Sequence, residues 1–134
     1  MARKKIIVLD FDGVIHSYKN PWRGANIIPD PPVEGAAEAI DNIRQHYMVY
    51  VYSARCHQPG GVEAIQDWLD EWEIEVDKVV KIKPTGASLF IDDRGLRFEG
   101  DWNEVIQFLN TPGAIDPWNK KKSKTRPPQV DYID

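Results

Sequence analysis

Two aspartates one residue apart, Asp10 and Asp12, close the apolar run Ile6-Ile7-Val8-Leu9, with Gly13 directly behind them. Four large apolar residues in a row predict a strand buried on both faces, as in a parallel sheet covered by helices. Carboxylates inside such a strand would cost several kcal/mol without compensation. At the strand's carboxyl end they instead face the crevice where open α/β sheets bind ligands. Gly13 then lets the chain turn away without a side chain blocking that crevice. Carboxylates in such a place suit Mg²⁺, which takes few protein ligands and completes its shell with water and phosphate oxygens. A carboxylate is also a competent nucleophile toward phosphorus.

Other polar groups follow three later β-like segments. Ser53 ends the β-branched and aromatic run Tyr47–Tyr52, Lys81 and Lys83 sit at and just past the end of the run Lys78–Ile82, and Asp92 and Asp93 follow Ser88–Ile91. A hydroxyl and an ammonium are what a phosphoryl group requires for hydrogen bonding and charge neutralisation. In a parallel sheet all these strand ends face one side, so residues distant in sequence converge on one crevice. Arg55 and Arg94, each just past a strand end, are the candidate cations for substrate at its mouth.

The elements that must position these groups alternate regularly. Residues 16–33 carry Gly24, Pro21, Pro29, Pro31 and Pro32, which predicts a loop or small hairpin over the first strand's end. Pro31 and Pro32 suit the start of a helix, with Asp30 as its cap. Val33, Ala36, Ala37, Ile40 and Ile43 recur at helical spacing, as do Val62, Ile65, Leu69 and Trp72 further on, with Trp68 beside them in the stripe. Leu96–Phe98 reads as a short edge strand. Asp101 and Glu104 form a capping-box arrangement before the stripe Trp102, Val105, Ile106 and Leu109. Strands alternating with helices predict an α/β fold, a Rossmann-like three-layer sandwich with a mainly parallel sheet.

At these residues the chain resembles the haloacid dehalogenase-like (HAD) superfamily of aspartyl phosphotransferases. Its four motifs are matched in order by VLDFDGV, VYS, the KP of KIKP, and LFIDD, over residues 6–93. Val14 departs from the commoner threonine, and Lys81 competes with Lys83 for the lysine role, Lys83 fitting better before its proline. The Ser-x-Arg and Asp-Asp-Arg forms are similar to the phosphatase part of bacteriophage polynucleotide kinases. The resemblance implies that Asp10 attacks phosphorus, and that Asp12 protonates the leaving oxygen and then activates water. It implies that Ser53 and Lys83 hold the phosphoryl oxygens, and that Mg²⁺ lies among Asp10, the Asp12 carbonyl and the Asp92/Asp93 pair. An aspartate at position 12 favours a phosphatase over a dehalogenase.

The 43 positions from Asp10 to Ser53 and the 30 from Ser53 to Lys83 each hold a helix and a strand, which leaves no room for a separate cap domain. An uncapped site accepts a large phosphorylated substrate, a polynucleotide end among them, or is closed by residues 16–33 or by a homo-oligomer. A low-turnover phosphate-binding module on the same fold is the reading of a different class. Residues 1–110 are expected to form the catalytic domain and 111–134 a Pro/Lys-rich tail or arm. That tail holds five lysines and arginines against three aspartates, so the net charge of −4 divides as +2 on the tail and −6 on the body. An acidic body is a poor general nucleic-acid binder.

Composition excludes several classes. Hydrophobic residues at 42% and charged residues at 28% are ordinary globular values. No apolar segment approaches the ~18 residues of a membrane span, and the single cysteine, Cys56, precludes an internal disulfide. A cytoplasmic protein with no membrane partner is expected. Cys56 lacks the arginine that a Cys-x5-Arg phosphatase requires, since position 62 is Val62. No P-loop or dinucleotide fingerprint occurs. His16 and His57 stand where they could line the pocket mouth, and Trp22 is the one tryptophan placed in a loop rather than on a helix face.

Overall fold

A computed structural model describes residues 3–116. The chain divides into two compact units, Met1–Asp92 and Asp93–Asp134. The expected tail therefore lies mostly outside the described residues.

The first unit is built on a four-stranded sheet. β1 (Ile6–Asp10), β2 (Met48–Tyr52), β3 (Lys78–Val80) and β4 (Ala87–Ile91) are all parallel, in the order β3-β2-β1-β4. β1 is flanked on both edges, which is why its interior reads as an unbroken apolar run; Ile7, Val8 and Leu9 are all buried. β2 buries Val49 and Val51 completely and leaves Met48, Tyr50 and Tyr52 half-buried, the two-residue alternation of a pleated strand. Helices α1 (Ala36–Arg44) and α2 (Gly61–Glu71) occupy the two crossovers. Ile40 of α1 and Ile65, Trp68 and Leu69 of α2 join Leu9, Phe11, Val49 and Val51 in one core. The architecture is α/β and compatible with a Rossmann-like sandwich, and no separate cap is evident among the described residues. No helix there is long and apolar enough to cross a membrane.

Several boundaries differ from expectation for identifiable reasons. Asp30 does not cap α1. Residues 31–33 are tied back to 15–17 by the Ser17 N–H on the Pro31 carbonyl and the Val33 N–H on the Ile15 carbonyl, at 3.0 and 2.8 Å. The helix starts only after Gly35, whose φ is +86°. Trp72 ends α2 half out of the core, and Trp68 takes the buried place instead. β3 stops at Val80, and Leu96–Phe98 forms no strand. In the second unit, α3 (Trp102–Leu109) is capped as expected by Asp101, although the Asp101 carboxylate accepts from the N–H of Asn103, at 2.8 Å.

At the sheet's amino end, Asp77 locks α1 to β2. Its carboxylate accepts from the Val49 N–H at 2.7 Å and from Nε and an Nη of Arg44 at 3.3 and 3.1 Å. The Arg44 hydrogen bond holds the Asp77 carboxyl below its ordinary value against partial burial, with help from Val49 and the Arg44 charge. A lowered carboxylate contributes stability above the unfolded-state value near 3.8 and loses it as pH falls through the folded one. Asp77→Asn is expected to cost about 1–2 kcal/mol in urea unfolding at pH 7. The difference from the parent should shrink on acidification below the carboxylate range; a constant difference would reject the ion-pair origin.

Candidate active site

The strand order reverses at β1: the chain runs outward through β2 and β3, then returns to place β4 on β1's other edge. Such a switch point opens a crevice at the strands' carboxyl ends, and Asp10 is the last residue of β1 there. Asp10 pairs in register with Tyr52, directly before Ser53, while Leu9 pairs with Ile91, directly before Asp92. Ser53, Asp10 and Asp92 thus occupy three adjoining strand ends. Strands about 4.8 Å apart bring such groups within reach of one small ligand.

After Asp10, whose carboxylate accepts from the Phe11 N–H at 2.9 Å, the chain makes a tight turn. The N–H groups of Ile15 and His16 both donate to the Phe11 carbonyl at 2.9 Å, and that of Gly13 to the His16 carbonyl at 2.8 Å. Gly13 adopts φ +85°, the left-handed conformation that suits glycine best. The turn carries Asp12 against two partners, His16 of the turn itself and Arg55 from beyond β2. Arg55 Nε and an Nη donate to its two carboxylate oxygens at 2.9 and 3.0 Å. His16 Nδ1 lies 2.8 Å from Oδ1. The Asp30 N–H donates to His16 Nε2 at 3.1 Å, so that nitrogen bears no proton and Nδ1–H is the donor to Asp12. Burial pushes the Asp12 carboxyl up, but the hydrogen bonds of His16 and Arg55 and the Arg55 charge outweigh it and leave it below the ordinary value. Asp12 is therefore an anion at neutral pH.

Arg55 differs most from its expected place at the pocket mouth. It is 1% exposed, the largest fully buried side chain. Besides Asp12, it donates from one Nη to the carbonyls of Gly24, Ala25 and Ile27 at 3.0–3.1 Å. It thus fastens the 16–33 loop to the acid. His16, expected at the entrance, is also wholly buried, between the rings of Phe11 and Trp68. Asp30 seals the loop's far side: its carboxylate accepts from the main chain and the amide of Asn20, and its carbonyl accepts from Trp68 Nε1 at 3.1 Å. The i, i+4 spacing of Asp12 and His16 was visible in the sequence; the roles of Asp30 and Asn20 had no local signal.

Ser53 is 3% exposed and caps the one-turn 3-10 helix Ala54–His57 by accepting from the Arg55 N–H at 3.1 Å. That bond uses an oxygen lone pair and leaves the hydroxyl proton as a donor. Lys83 Nζ lies 5.4 Å from the Tyr52 ring and 5.2 Å from the Phe90 ring. Those rings belong to β2 and β4, the two neighbours of β1, so the ammonium straddles the strand that ends in Asp10. Burial pushes the Cys56 thiol up against the weaker opposing pull of the Ser53 main chain and the Lys81 charge. A buried, protonated thiol is a poor nucleophile. His57 is exposed beside Tyr52. Asp93, half-buried, and Arg94, exposed, begin the second unit.

No protein-family model and no curated protein matches the chain. Among solved structures it is similar to a Pnkp1/Rnl/Hen1 complex, with 19% identity and a TM-score of 0.47 over 81% of this chain and 35% of that one. A Pnkp1/Rnl/Hen1 RNA repair complex matches with 19% identity and a TM-score of 0.46, over 81% of this chain and 32% of the other. A crystal structure of an MCSG target from Vibrio cholerae gives 19% and 0.46, over 77% of this chain and 94% of that one. The chain spans about a third of the length of the first two.

Proposed function

We propose that this chain is a phosphomonoester hydrolase of the HAD type, acting through an aspartyl phosphate on Asp10. What supports the reading is the convergence at the switch point: Asp10, Ser53 and Asp92 end adjoining strands, and Lys83 lies across them. The Asp10 carboxylate bonds to phosphorus as the phosphorus–oxygen bond to the leaving group breaks. Asp12, when protonated, supplies the leaving oxygen with its proton, and then, as the anion that Arg55 and His16 favour, takes one from the water that attacks the aspartyl phosphate. Ser53 Oγ–H and the Lys83 ammonium hold the phosphoryl oxygens.

The donor set fits Mg²⁺. Among the described residues no group of three or more His, Cys, Asp or Glu side chains is placed to hold a metal ion by itself. Two carboxylates on neighbouring strand ends, completed by a main-chain carbonyl, water and phosphate oxygens, are, however, the open, all-oxygen kind of site this ion takes. Asp10, the Asp12 carbonyl and Asp92 would hold it, and when bound it would screen the charge of the phosphoryl group.

The test is phosphate release from a panel of aryl, alkyl and nucleotide phosphomonoesters, phosphorylated oligonucleotides included, with Mg²⁺ or with chelator. Turnover should require Mg²⁺, and Asp10→Asn and Asp12→Asn should each lower it by about 10²–10⁴-fold. Because Asp12 protonates the leaving oxygen, Asp12→Asn should harm alkyl esters more than aryl esters, whose leaving groups need little protonation. Full activity in either variant overturns the mechanism. No turnover with phosphate binding retained would favour a binding module.

A further inference from the structure

Each residue that grips Asp12 also carries an exposed aromatic ring. Arg55 Cζ lies 4.6 Å from the centroid of the Trp22 ring, and the His16 ring meets Tyr18 edge to face at 5.9 Å. Arg55 is buried, so it covers one side of the indole, yet Trp22 remains 45% exposed and Tyr18 40%. The exposure of Trp22 therefore belongs to its other face and edges. Joining the 4.6 Å contact to the 2.9 Å Arg55–Asp12 bond through one C–N bond of about 1.3 Å puts the indole centroid within about 9 Å of the Asp12 carboxylate.

The exposed part of the loop adds charge of one sign only. Between Ser17 and Pro29 the only charged residues are Lys19 and Arg23, both exposed, on a body that is otherwise acidic. The loop is held still by Arg55 on three of its carbonyls and by Asp30 on Asn20. Rigid rings interleaved with cations, beside groups suited to a phosphate, are the chemistry that binds a nucleotide by its base and backbone.

We propose that Trp22, with Tyr18 beside it, is a stacking platform for the nucleobase of a phosphomonoester whose phosphate lies at Asp10; this rests on the phosphatase reading above. Lys19 and Arg23 then face the remaining backbone charge. A tryptophan that merely roofs Arg55 would not discriminate between substrates with and without a base.

The deciding quantity is a ratio, kcat/KM for a nucleoside monophosphate over kcat/KM for glycerol phosphate, in the parent, Trp22→Phe and Trp22→Leu chains. The parent should favour the nucleotide, Trp22→Leu should lower the ratio about fivefold or more, and Trp22→Phe should keep most of it. An unchanged ratio in Trp22→Leu overturns the platform. If no phosphomonoester is turned over, the phosphatase reading falls, and equilibrium binding of the nucleoside monophosphate against inorganic phosphate decides the platform alone. A selective loss of nucleotide binding in Trp22→Leu supports it, and equal losses reject it. Should Trp22→Leu not fold, Tyr18→Leu is read by the same ratio, with a smaller drop expected and no drop overturning it. An oligonucleotide with the same terminal phosphate separates the two sources of the base. Tighter, salt-sensitive binding that Lys19→Gln/Arg23→Gln weakens assigns the platform to a strand end, and parity with the mononucleotide assigns it to free nucleotides.

Discussion

Replacing Arg55 by methionine is expected to destabilise the first unit by about 3–5 kcal/mol. Methionine fills much of the same volume, so little of that loss would come from a cavity. It would come from what is left unpaired. Asp12 keeps one hydrogen-bond donor, His16, for a largely buried carboxylate, and the carbonyls of Gly24, Ala25 and Ile27 lose their shared donor. An isolated buried charge costs more than the pair it came from. Arg55→Lys should fall between, because an ammonium restores the charge but not the planar fork that reaches Asp12 and the loop together. The double variant Asp12→Asn/Arg55→Met should recover part of the loss, since no lone carboxylate remains. Urea unfolding of the parent, Arg55→Met, Arg55→Lys, Asp12→Asn and the double variant checks this. Strict additivity of the two single changes would mean that the 2.9 and 3.0 Å bonds carry no coupling.

That same side chain marks where the sequence stops being legible. β1, β2, α2 and the parallel α/β class follow from apolar periodicity, because each element's burial is written in its own residues. So is the turn at Gly13, which glycine's left-handed φ makes local. The strand ends follow from the same patterns, and with them the placing of Asp10, Ser53 and Asp92 side by side. Arg55 and His16 are different. Nothing near either residue announces burial, because the partners that offset the desolvation of Arg55 are 28–43 positions away and those of His16 lie in two separate turns. Both were therefore expected at the surface. Asp30 failed locally for a related reason: the proline pair beside it suits a helix start, but the chain uses those residues to bridge back to His16 instead. Leu96–Phe98 has a strand's composition, and three residues of β propensity are too weak a signal without a partner.

Gly61→Ala should be nearly as damaging as losing Arg55, although it adds a single methyl group. A Cβ on Gly61 would lie 1.7 Å from the Arg55 carbonyl oxygen, 2.5 Å from its carbon and 3.3 Å from the Cys56 nitrogen. All three atoms are main chain, so no rotamer change relieves the clash. Either the first turn of α2 moves away or the 3-10 turn at Ala54–His57 does. Moving α2 disturbs the buried face of Ile65, Trp68 and Leu69. Moving the turn shifts the backbone from which Arg55 reaches Asp12 and Ser53 caps the chain. A cost of about 3 kcal/mol is expected, at the upper end of overpacking. Gly86 provides the control within the same unit. A Cβ there meets nothing within 4 Å, and no positive φ is involved. Gly86→Ala should therefore leave stability within about 0.5 kcal/mol or raise it slightly by stiffening the unfolded chain. Urea midpoints of the two alanine variants, with phosphate release from one aryl ester, distinguish the routes of relief. Lost stability with normal turnover would mean that α2 yields and the turn holds. Losing both would mean that the turn yields and takes Arg55 from Asp12. Equal stability of the two variants would show that α2 does not approach the Arg55 backbone this closely.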